Sequence, residues 1–378
     1  MRYISCARAL LTRNLPIYVH YGVTHRCNLS CRMCGLWKIG NKDTELTLPQ
    51  IQQLAKNLGQ LGTTAISLGG GEPFLRPDLP EIITAFRDNG LEVRVLTNGL
   101  VKNEKLIQRV LDTGLRHISI SMDTLDASVQ DDVCNRPGTW NDIVSAVRFW
   151  SEQLRPRRGL GVLNCVVSKL NFRSLRDMLR VADAYGFYLS LVPIELHQYH
   201  EKDLGCRDSF SDMPFQPEDH AELTAIFEEL IALKKSGKSR LFNSTPYLRH
   251  SLSYLKGEKP QGFRCRAGAL SFSVSPEGVY SMCHYHNGLG HHDGEGKQET
   301  ISAASPDFVD WYRHSHAAAV TSLTARQCHR CFRPCWQEIN LAFTHPAAFW
   351  EALHLQAPLP MPTEMPAPEE LRSRLGLQ

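Results

Sequence analysis

The sequence predicts an α/β protein built on a parallel sheet. Two observations carry this reading. Short apolar runs of strand length alternate with stretches of helical apolar spacing from residue 17 to residue 194, and glycine, asparagine or proline punctuates the joints. Six strand–helix units fit in that span. Parallel strands need crossover helices, and right-handed crossovers curl such a sheet toward a barrel. Six units fall short of the eight that close one, so a partial (β/α)6 TIM-type barrel is expected over 17–194.

The elements follow in order. Ile17–Val23 is an apolar run of strand length, Leu48–Leu61 has helical spacing, and Ala65–Leu68 is a short strand running into Gly69-Gly70-Gly71-Glu72-Pro73. Pro80–Asn89 reads as a helix, Leu91–Leu96 as a strand ending in Thr97-Asn98-Gly99, and Leu106–Thr113 as a helix. His117–Ser121 is a strand ending at Met122-Asp123, Trp140–Leu154 a helix and Leu160–Val167 a strand. Leu175–Tyr185 and Tyr188–Ile194 complete the sixth unit. Beyond it, 195–260 reads as a linker loop and two helices, Glu218–Lys234 and Pro246–Leu255. The polar stretch Glu195–Phe215, with His197, His200 and Cys206, is long enough for a lid or substrate loop. A hairpin is expected at Ser271–Val274 and Gly278–Met282, turned by Pro276-Glu277-Gly278. Residues 341–378 form a tail that is proline-rich from Pro358 to Pro368.

Composition excludes several classes. Forty-two basic against 39 acidic residues leave a net charge of +3, too balanced for a nucleic-acid binder. No apolar run reaches the length of a transmembrane segment. Met1–Leu15 carries Arg2, Arg8 and Arg13 and lacks the apolar block of a signal peptide, so residues 1–16 read as a short amphipathic helix against the barrel, with membrane contact as the lesser alternative. A cytoplasmic protein with reduced thiols is expected.

The chemistry lies in cysteines. Cys27, Cys31 and Cys34 follow the first strand in a C-x3-C-x2-C run. Three thiolates this close can hold three irons of a [4Fe–4S] cube and leave the fourth open, where a structural cluster takes four cysteines. A zinc site is the alternative, but it wants a second cysteine pair or histidines, and His25 is the only imidazole near. A second group, Cys265, Cys283, Cys328, Cys331 and Cys335, brackets the hairpin. Iron–sulfur or structural zinc are both open to such soft donors. Cys6, Cys134, Cys165 and Cys206 read as small core or surface residues. The turn around His284, His286, His291 and His292 reads as an exposed loop, with metal binding as the lesser alternative.

With the cysteine run one strand before Gly70-Gly71-Glu72-Pro73, the chain resembles the radical S-adenosylmethionine (radical SAM) superfamily. The resemblance implies a [4Fe–4S] cluster on Cys27, Cys31 and Cys34 whose open iron takes SAM. The reduced cluster splits SAM and releases a 5′-deoxyadenosyl radical. An electron donor such as flavodoxin or ferredoxin is implied. Gly70, Gly71, Glu72 and Pro73 match the GGEP motif, with Glu72 offering a carboxylate to the SAM amino group. Ser121 and Asp123 fall at the ribose or methionine part, or else cap the next helix. Arg136 is placed to pair with the SAM carboxylate, Ser168 at the ribose, and Val192 and Pro193 at the adenine. Met33 stands where an aromatic often sits.

The second cysteine group is similar to the auxiliary-cluster domains called SPASM and twitch, so 261–340 is expected to be a small twitch/SPASM-like α+β domain. Its layout is similar to the twitch domain of 2-deoxy-scyllo-inosamine dehydrogenase. That implies Cys265, Cys283, Cys328 and Cys331 as ligands of an auxiliary [4Fe–4S] cluster, with Cys335 spare or substituting. A fully ligated cluster implies two-electron oxidation of a small-molecule substrate. A maturase that modifies a peptide or protein is the alternative, with any peptide-recognition domain on a separate protein. A non-catalytic iron–sulfur scaffold is the third reading.

Overall fold

Thr47 starts the first long helix, α1 (Leu48–Leu61), through a capping box: its backbone N–H and its hydroxyl both donate to the Gln50 side chain. Pro49 sits in the first turn, where a missing backbone donor costs nothing. Gly62, at φ 83°, closes the helix in the left-handed region that glycine tolerates. Between these ends Ile51, Leu54, Ala55, Leu58 and Leu61 share one buried face.

That face packs on a sheet whose strands are laid down in sequence order. They are β1 (Tyr18–Thr24), β2 (Ala65–Gly70), β3 (Glu92–Thr97), β4 (His117–Ser121), β5 (Leu160–Val167) and β6 (Tyr188–Pro193). All are parallel, each to the next. The crossovers are α1, α2 (Leu79–Asp88), α3 (Glu104–Asp112), α4 (Ala127–Cys134), α5 (Thr139–Leu154) and α6 (Leu175–Tyr185). Register aligns Tyr21, Leu68, Val95 and Ile118 in one row, fully buried toward the helices. This computed structural model describes residues 15–40, 44–195, 211–258, 265–282, 301–314 and 334–354, together with Pro362, Pro366 and Glu370. The helix expected at 1–16, the residues His197, His200 and Cys206, the histidine-rich turn and most of the tail lie outside the described residues.

The helix α4 is an addition to the expected order. Asp126 caps it by accepting from Ser128 N (2.9 Å) and Val129 N (3.1 Å). It buries only Gln130, Val133 and Cys134, too narrow a stripe to show as periodicity. The expected hairpin forms as β7 (Ser271–Val274) and β8 (Tyr280–Ser281), its second strand shorter than 278–282. β7 also runs parallel to β1, pairing Tyr18 with Ser271 through Tyr21 with Val274. One eight-stranded sheet results, in the order β6-β5-β4-β3-β2-β1-β7-β8. It runs across the boundary expected between barrel and C-terminal region. At its far side Leu241 bridges Leu189, and Phe242 N donates to Leu189 O at 2.8 Å, so chain 240–243 covers β6.

The helices α7 (His220–Lys235) and α8 (Thr245–Leu255) lie close to the expected ranges. Helix α9 (Phe308–His314) follows a segment locked to α1, where Asn57 Nδ2 donates to Ala303 O (2.9 Å) and Ser305 O (2.8 Å). Helices α10 (Pro334–Ala342) and α11 (Pro346–His354) pack on α8. No helix among the described residues is long and apolar enough to cross a membrane.

Candidate active site

Cys27, Cys31 and Cys34 lie on the loop that leaves the C-terminal end of β1, half-buried and outside any disulfide. The end of α4 and the chain after β3 hold that loop by its backbone and polar side chains. Arg32 N donates to Val133 O (2.9 Å), and Asn135 Nδ2 to Ser30 Oγ (3.0 Å). Asn28 Nδ2 donates to Leu100 O (3.0 Å). Asn98, at the tip of β3, donates to Asn28 Oδ1 (2.7 Å) and faces Cys27 Sγ at 3.9 Å. Burial raises the Cys27 thiol above its ordinary value, and the neighbouring Cys134 thiol together with burial raises Cys31. Cys134 is therefore more than the core filler its sequence context implied: it touches the middle cysteine of the run. Among the described residues no three His, Cys, Asp or Glu side chains close on a single ion. Three half-buried thiols on one anchored loop could supply the three cysteine ligands of a cube, in which each iron takes its own sulfur.

The glycines explain how the loop is seated. Gly71 N donates to Thr24 O (2.8 Å) and Glu72 N to Arg26 O (2.8 Å), so the tip of β2 lies directly against the backbone of the cysteine loop. A Cβ on Gly71 would stand 2.0 Å from Arg26 O, and one on Gly70 2.4 Å from Thr24 O. The close backbone approach that these glycines permit is thus to the chain's own loop. Arg76, 6 % exposed, reinforces the same seam: its guanidinium donates to Val23 O (3.0 Å), Leu46 O (3.2 Å) and Asp78.

Glu72 has no exposed surface. Its carboxylate accepts from Phe74 N (3.1 Å), Thr97 Oγ1 (2.9 Å) and Asn98 N (2.8 Å), which binds the tip of β2 to that of β3. Burial outweighs these three donors and lifts the carboxyl to about 7. The donor expected opposite this carboxylate was a ligand ammonium, and the chain's own N–H and O–H groups hold it here.

The other expected contacts are placed individually. Ser121 is exposed at the end of β4, beside Asn164 in register. Asp123 is buried, accepts from Val166 N at 2.8 Å, and is lifted by burial to about 6. It joins β4 to β5. The capping role weighed for Ser121 and Asp123 belongs to Asp126. Arg136 follows the left-handed Asn135 and lies 3.6 Å from the Asp142 carboxylate. Ser168 is buried in a turn in which its N–H donates to Asn171 Oδ1 (2.9 Å) and its hydroxyl accepts from Leu170 N (3.3 Å). Val192 and Pro193 end β6, and Met33 packs half-buried on the core.

The hairpin turn reaches the same site from the C-terminal region. His25, two residues before Cys27, contacts Glu277 Oε1 through Nε2 at 2.7 Å. Burial would raise the Glu277 carboxyl, but His25 and the Ser275 hydroxyl hold it down to about 2. Sequence spacing carries no sign of this tether, 252 residues apart. Of the second cysteine group, Cys265 is described and half-buried, with Ala267 N 3.5 Å from its sulfur. Cys335 sits in the first turn of α10, its side chain outside the described residues, as are Cys283, Cys328 and Cys331.

Comparison with known proteins bears on this geometry. A family model described as "Radical SAM superfamily" matches residues 21–182. The chain is 27 % identical over 165 residues to the PqqA peptide cyclase of Granulibacter bethesdensis, covering 43 % of each. It is 31 % identical over 189 residues to the probable GTP 3′,8-cyclase of Sulfolobus acidocaldarius, covering 48 % of this chain and 56 % of that one. The chain spans about half the length of these curated relatives. Streptococcus suis SuiB bound to S-adenosylmethionine superposes with a TM-score of 0.61 at 14 % identity, over 85 % of this chain and 71 % of SuiB. The AdoMet-bound anSMEcpe superposes at 0.57 and 12 % identity, over 90 % and 99 %. Such distant structures share the fold. With the three-cysteine loop seated on the Gly70-Gly71-Glu72 edge, residues 21–182 are a radical SAM domain.

Proposed function

We propose that the protein binds SAM at the mouth of the partial barrel and uses it to remove a hydrogen atom from a peptide substrate. The observation that carries this reading is the seating of three half-buried thiols directly on the β2 edge. When bound there, a [4Fe–4S] cluster held by Cys27, Cys31 and Cys34 supplies the electron that splits SAM into methionine and the 5′-deoxyadenosyl radical. The residues around it have separable roles. Glu72 and Arg76 fix the floor of the SAM site, and Asn98 points its amide toward the Cys27 sulfur. Ser121, exposed at a strand end, offers a hydroxyl at the mouth. Arg136 and Ser168 are the further SAM contacts in this proposal. Thiols kept reduced for a cluster call for a reducing compartment, here the cytoplasm, and for a donor such as flavodoxin or ferredoxin.

The peptide reading draws support from relatives. A PqqA peptide cyclase of Bradyrhizobium diazoefficiens matches at 25 % identity over 72 % of this chain and 68 % of that one. SuiB bound to its precursor peptide SuiA has the same fold, with a TM-score of 0.61. A second reading, two-electron oxidation of a small molecule, rests on the cysteines. Cys265, Cys283, Cys328 and Cys331 would complete an auxiliary cluster, with Cys335 competing for one iron, and a closed cluster accepts an electron rather than a ligand.

The test is 5′-deoxyadenosine production by anaerobically reconstituted protein given dithionite and SAM. Slow release without substrate is expected, accelerated by a peptide and not by cyclitols or sugars. Protein that carries iron on Cys27, Cys31 and Cys34 yet makes no 5′-deoxyadenosine would remove the proposal. Acceleration by a cyclitol alone would select the second reading.

A further inference from the structure

A strand buried on both faces ordinarily reads as continuous Val, Ile and Leu. β3 departs from that pattern: buried residues alternate with the half-buried Glu92, Arg94 and Leu96, and Arg94 is the charge nearest its middle. Val93 and Val95 on either side are buried toward the helices, so Arg94 projects into the hollow of the barrel. Its reach confirms the direction: the guanidinium carbon stands 5.3 Å from the ring centre of Phe242, in the chain that covers β6. Only across the hollow can β3 meet a residue three strands away.

Among the described residues no carboxylate lies within ion-pair distance of Arg94 and no hydrogen bond fixes its nitrogens; the Glu92 carboxylate, two residues before it on the same face, is held by Arg116 and His117. The register neighbours of Arg94 are Ser67 on β2 and His117 on β4. The one group that favours its charge is the Tyr18 phenol, while burial disfavours it and lowers its pKa. His117 is engaged with Glu92 (3.1 Å), at the far end of the strand from the cysteine loop. Beside Arg94, Tyr18 Oη and His20 Nδ1 meet at Ser67 Oγ, at 2.6 and 2.8 Å. Among the described residues, this part of the hollow carries the Arg94 guanidinium, the Phe242 ring behind it and the hydroxyls of Tyr18 and Ser67.

Arg94 is half-buried, and a charge partly withdrawn from water without a counter-ion is costly; such groups collect where a ligand completes them. We propose that Arg94 is the substrate anchor of this enzyme and takes an oxyanion, a carboxylate or phosphate, carried by the substrate. The guanidinium fork fits either group with two parallel hydrogen bonds. Arg94 lies three residues below the end of β3, roughly 10 Å down the strand at 3.3 Å per residue. An anionic end held there leaves the remainder of the molecule extending to the mouth, beside the cysteine loop. The proposal deepens the reading of a substrate-binding barrel and rests on it.

The test uses reconstituted protein, with and without SAM. Sodium acetate and inorganic phosphate are titrated separately against chloride at matched ionic strength, with melting temperature as the readout. A saturable rise with one of them is expected, and the responding anion identifies carboxylate or phosphate. Arg94→Met should weaken the apparent affinity about tenfold or more, the scale of a lost charged pair. Arg94→Lys, which keeps the charge and guards against misfolding of the Met variant, should retain part of it. Without added anion, Arg94→Met should melt at or above the parent temperature, because a half-buried charge without a counter-ion is gone. Equal titrations in parent and Arg94→Met, no saturable response in the parent, or a large loss of melting temperature in Arg94→Met would each overturn the assignment. Parent protein that binds the anion but makes no 5′-deoxyadenosine would leave the anchor standing and refute the SAM reading.

Discussion

Replacing Glu72 with alanine tests whether this carboxylate is the bolt between β2 and β3. Its removal strands two backbone N–H groups, that of Phe74 buried and that of Asn98 part-buried. The Thr97 hydroxyl keeps a second engagement, with Gly99 N at 3.1 Å. Each stranded donor costs about 1–3 kcal/mol, so about 2–6 kcal/mol is at stake. Against this stands the cost of the buried charge. The carboxyl titrates near 7 when folded instead of 4.5. A shift of that size corresponds to about 3 kcal/mol. Because the folded value is raised, this part of the stability is fully present below 4.5 and is lost as pH rises through 7. Glu72→Ala should therefore destabilise iron-free, reduced protein strongly near pH 5, and by about 3 kcal/mol less near pH 8. Urea unfolding of parent and variant at both values, followed by tryptophan fluorescence, gives the difference. A destabilisation below about 1 kcal/mol at pH 5, or one that grows toward pH 8, would refute the reasoning.

Other outcomes follow from the same geometry. Gly71→Ala drives a methyl group into Arg26 O and should displace the cysteine loop, with reconstituted iron falling by more than half while far-UV circular dichroism keeps its helical content. Glu277→Gln removes the charged partner of His25 and should cost about 1–3 kcal/mol at neutral pH. In the parent that contribution is present above pH 4.5 and lost as pH falls toward 2, so acid-induced unfolding of parent and variant should converge there. Reconstituted protein should hold about eight irons, and the Cys27, Cys31 and Cys34 triple alanine variant about four, by colorimetric iron assay.

The barrel was legible because each of its units is local. Leu48–Leu61, His117–Ser121, Leu160–Val167 and Leu175–Tyr185 have the ranges read from periodicity alone. Residue types at strand ends also marked the site, since Cys27, Glu72 and Ser121 all fall at the C-terminal edge of the sheet. What a sequence cannot display is the direction of a polar group. Glu72 was expected to face a ligand, and the protein donors that hold its carboxylate, Phe74 N, Thr97 Oγ1 and Asn98 N, had no sign in the sequence. Asp123 and Ser168 likewise serve their own turns. Pairings between distant segments were equally hidden: β1 with β7, His25 with Glu277, and Cys31 with Cys134 have no signature in spacing. Arg94 did leave a trace, a charged residue inside an apolar strand.

The β1–β7 pairing orders events during synthesis. Tyr18–Tyr21 must wait for Ser271–Val274, about 250 residues later in the chain. At 5–20 residues per second the ribosome takes roughly 12–50 s to deliver that partner. All six barrel strands emerge within the interval, yet the edge of β1 stays bare, presenting unpaired backbone donors and acceptors between the apolar side chains of Val19 and Tyr21. Such an edge invites pairing with a second nascent chain. The cysteine loop hangs from that unfinished edge, so a cluster delivered early would meet a loop lacking its His25–Glu277 clasp. Metallation and completion of the sheet are thereby coupled to the last third of translation.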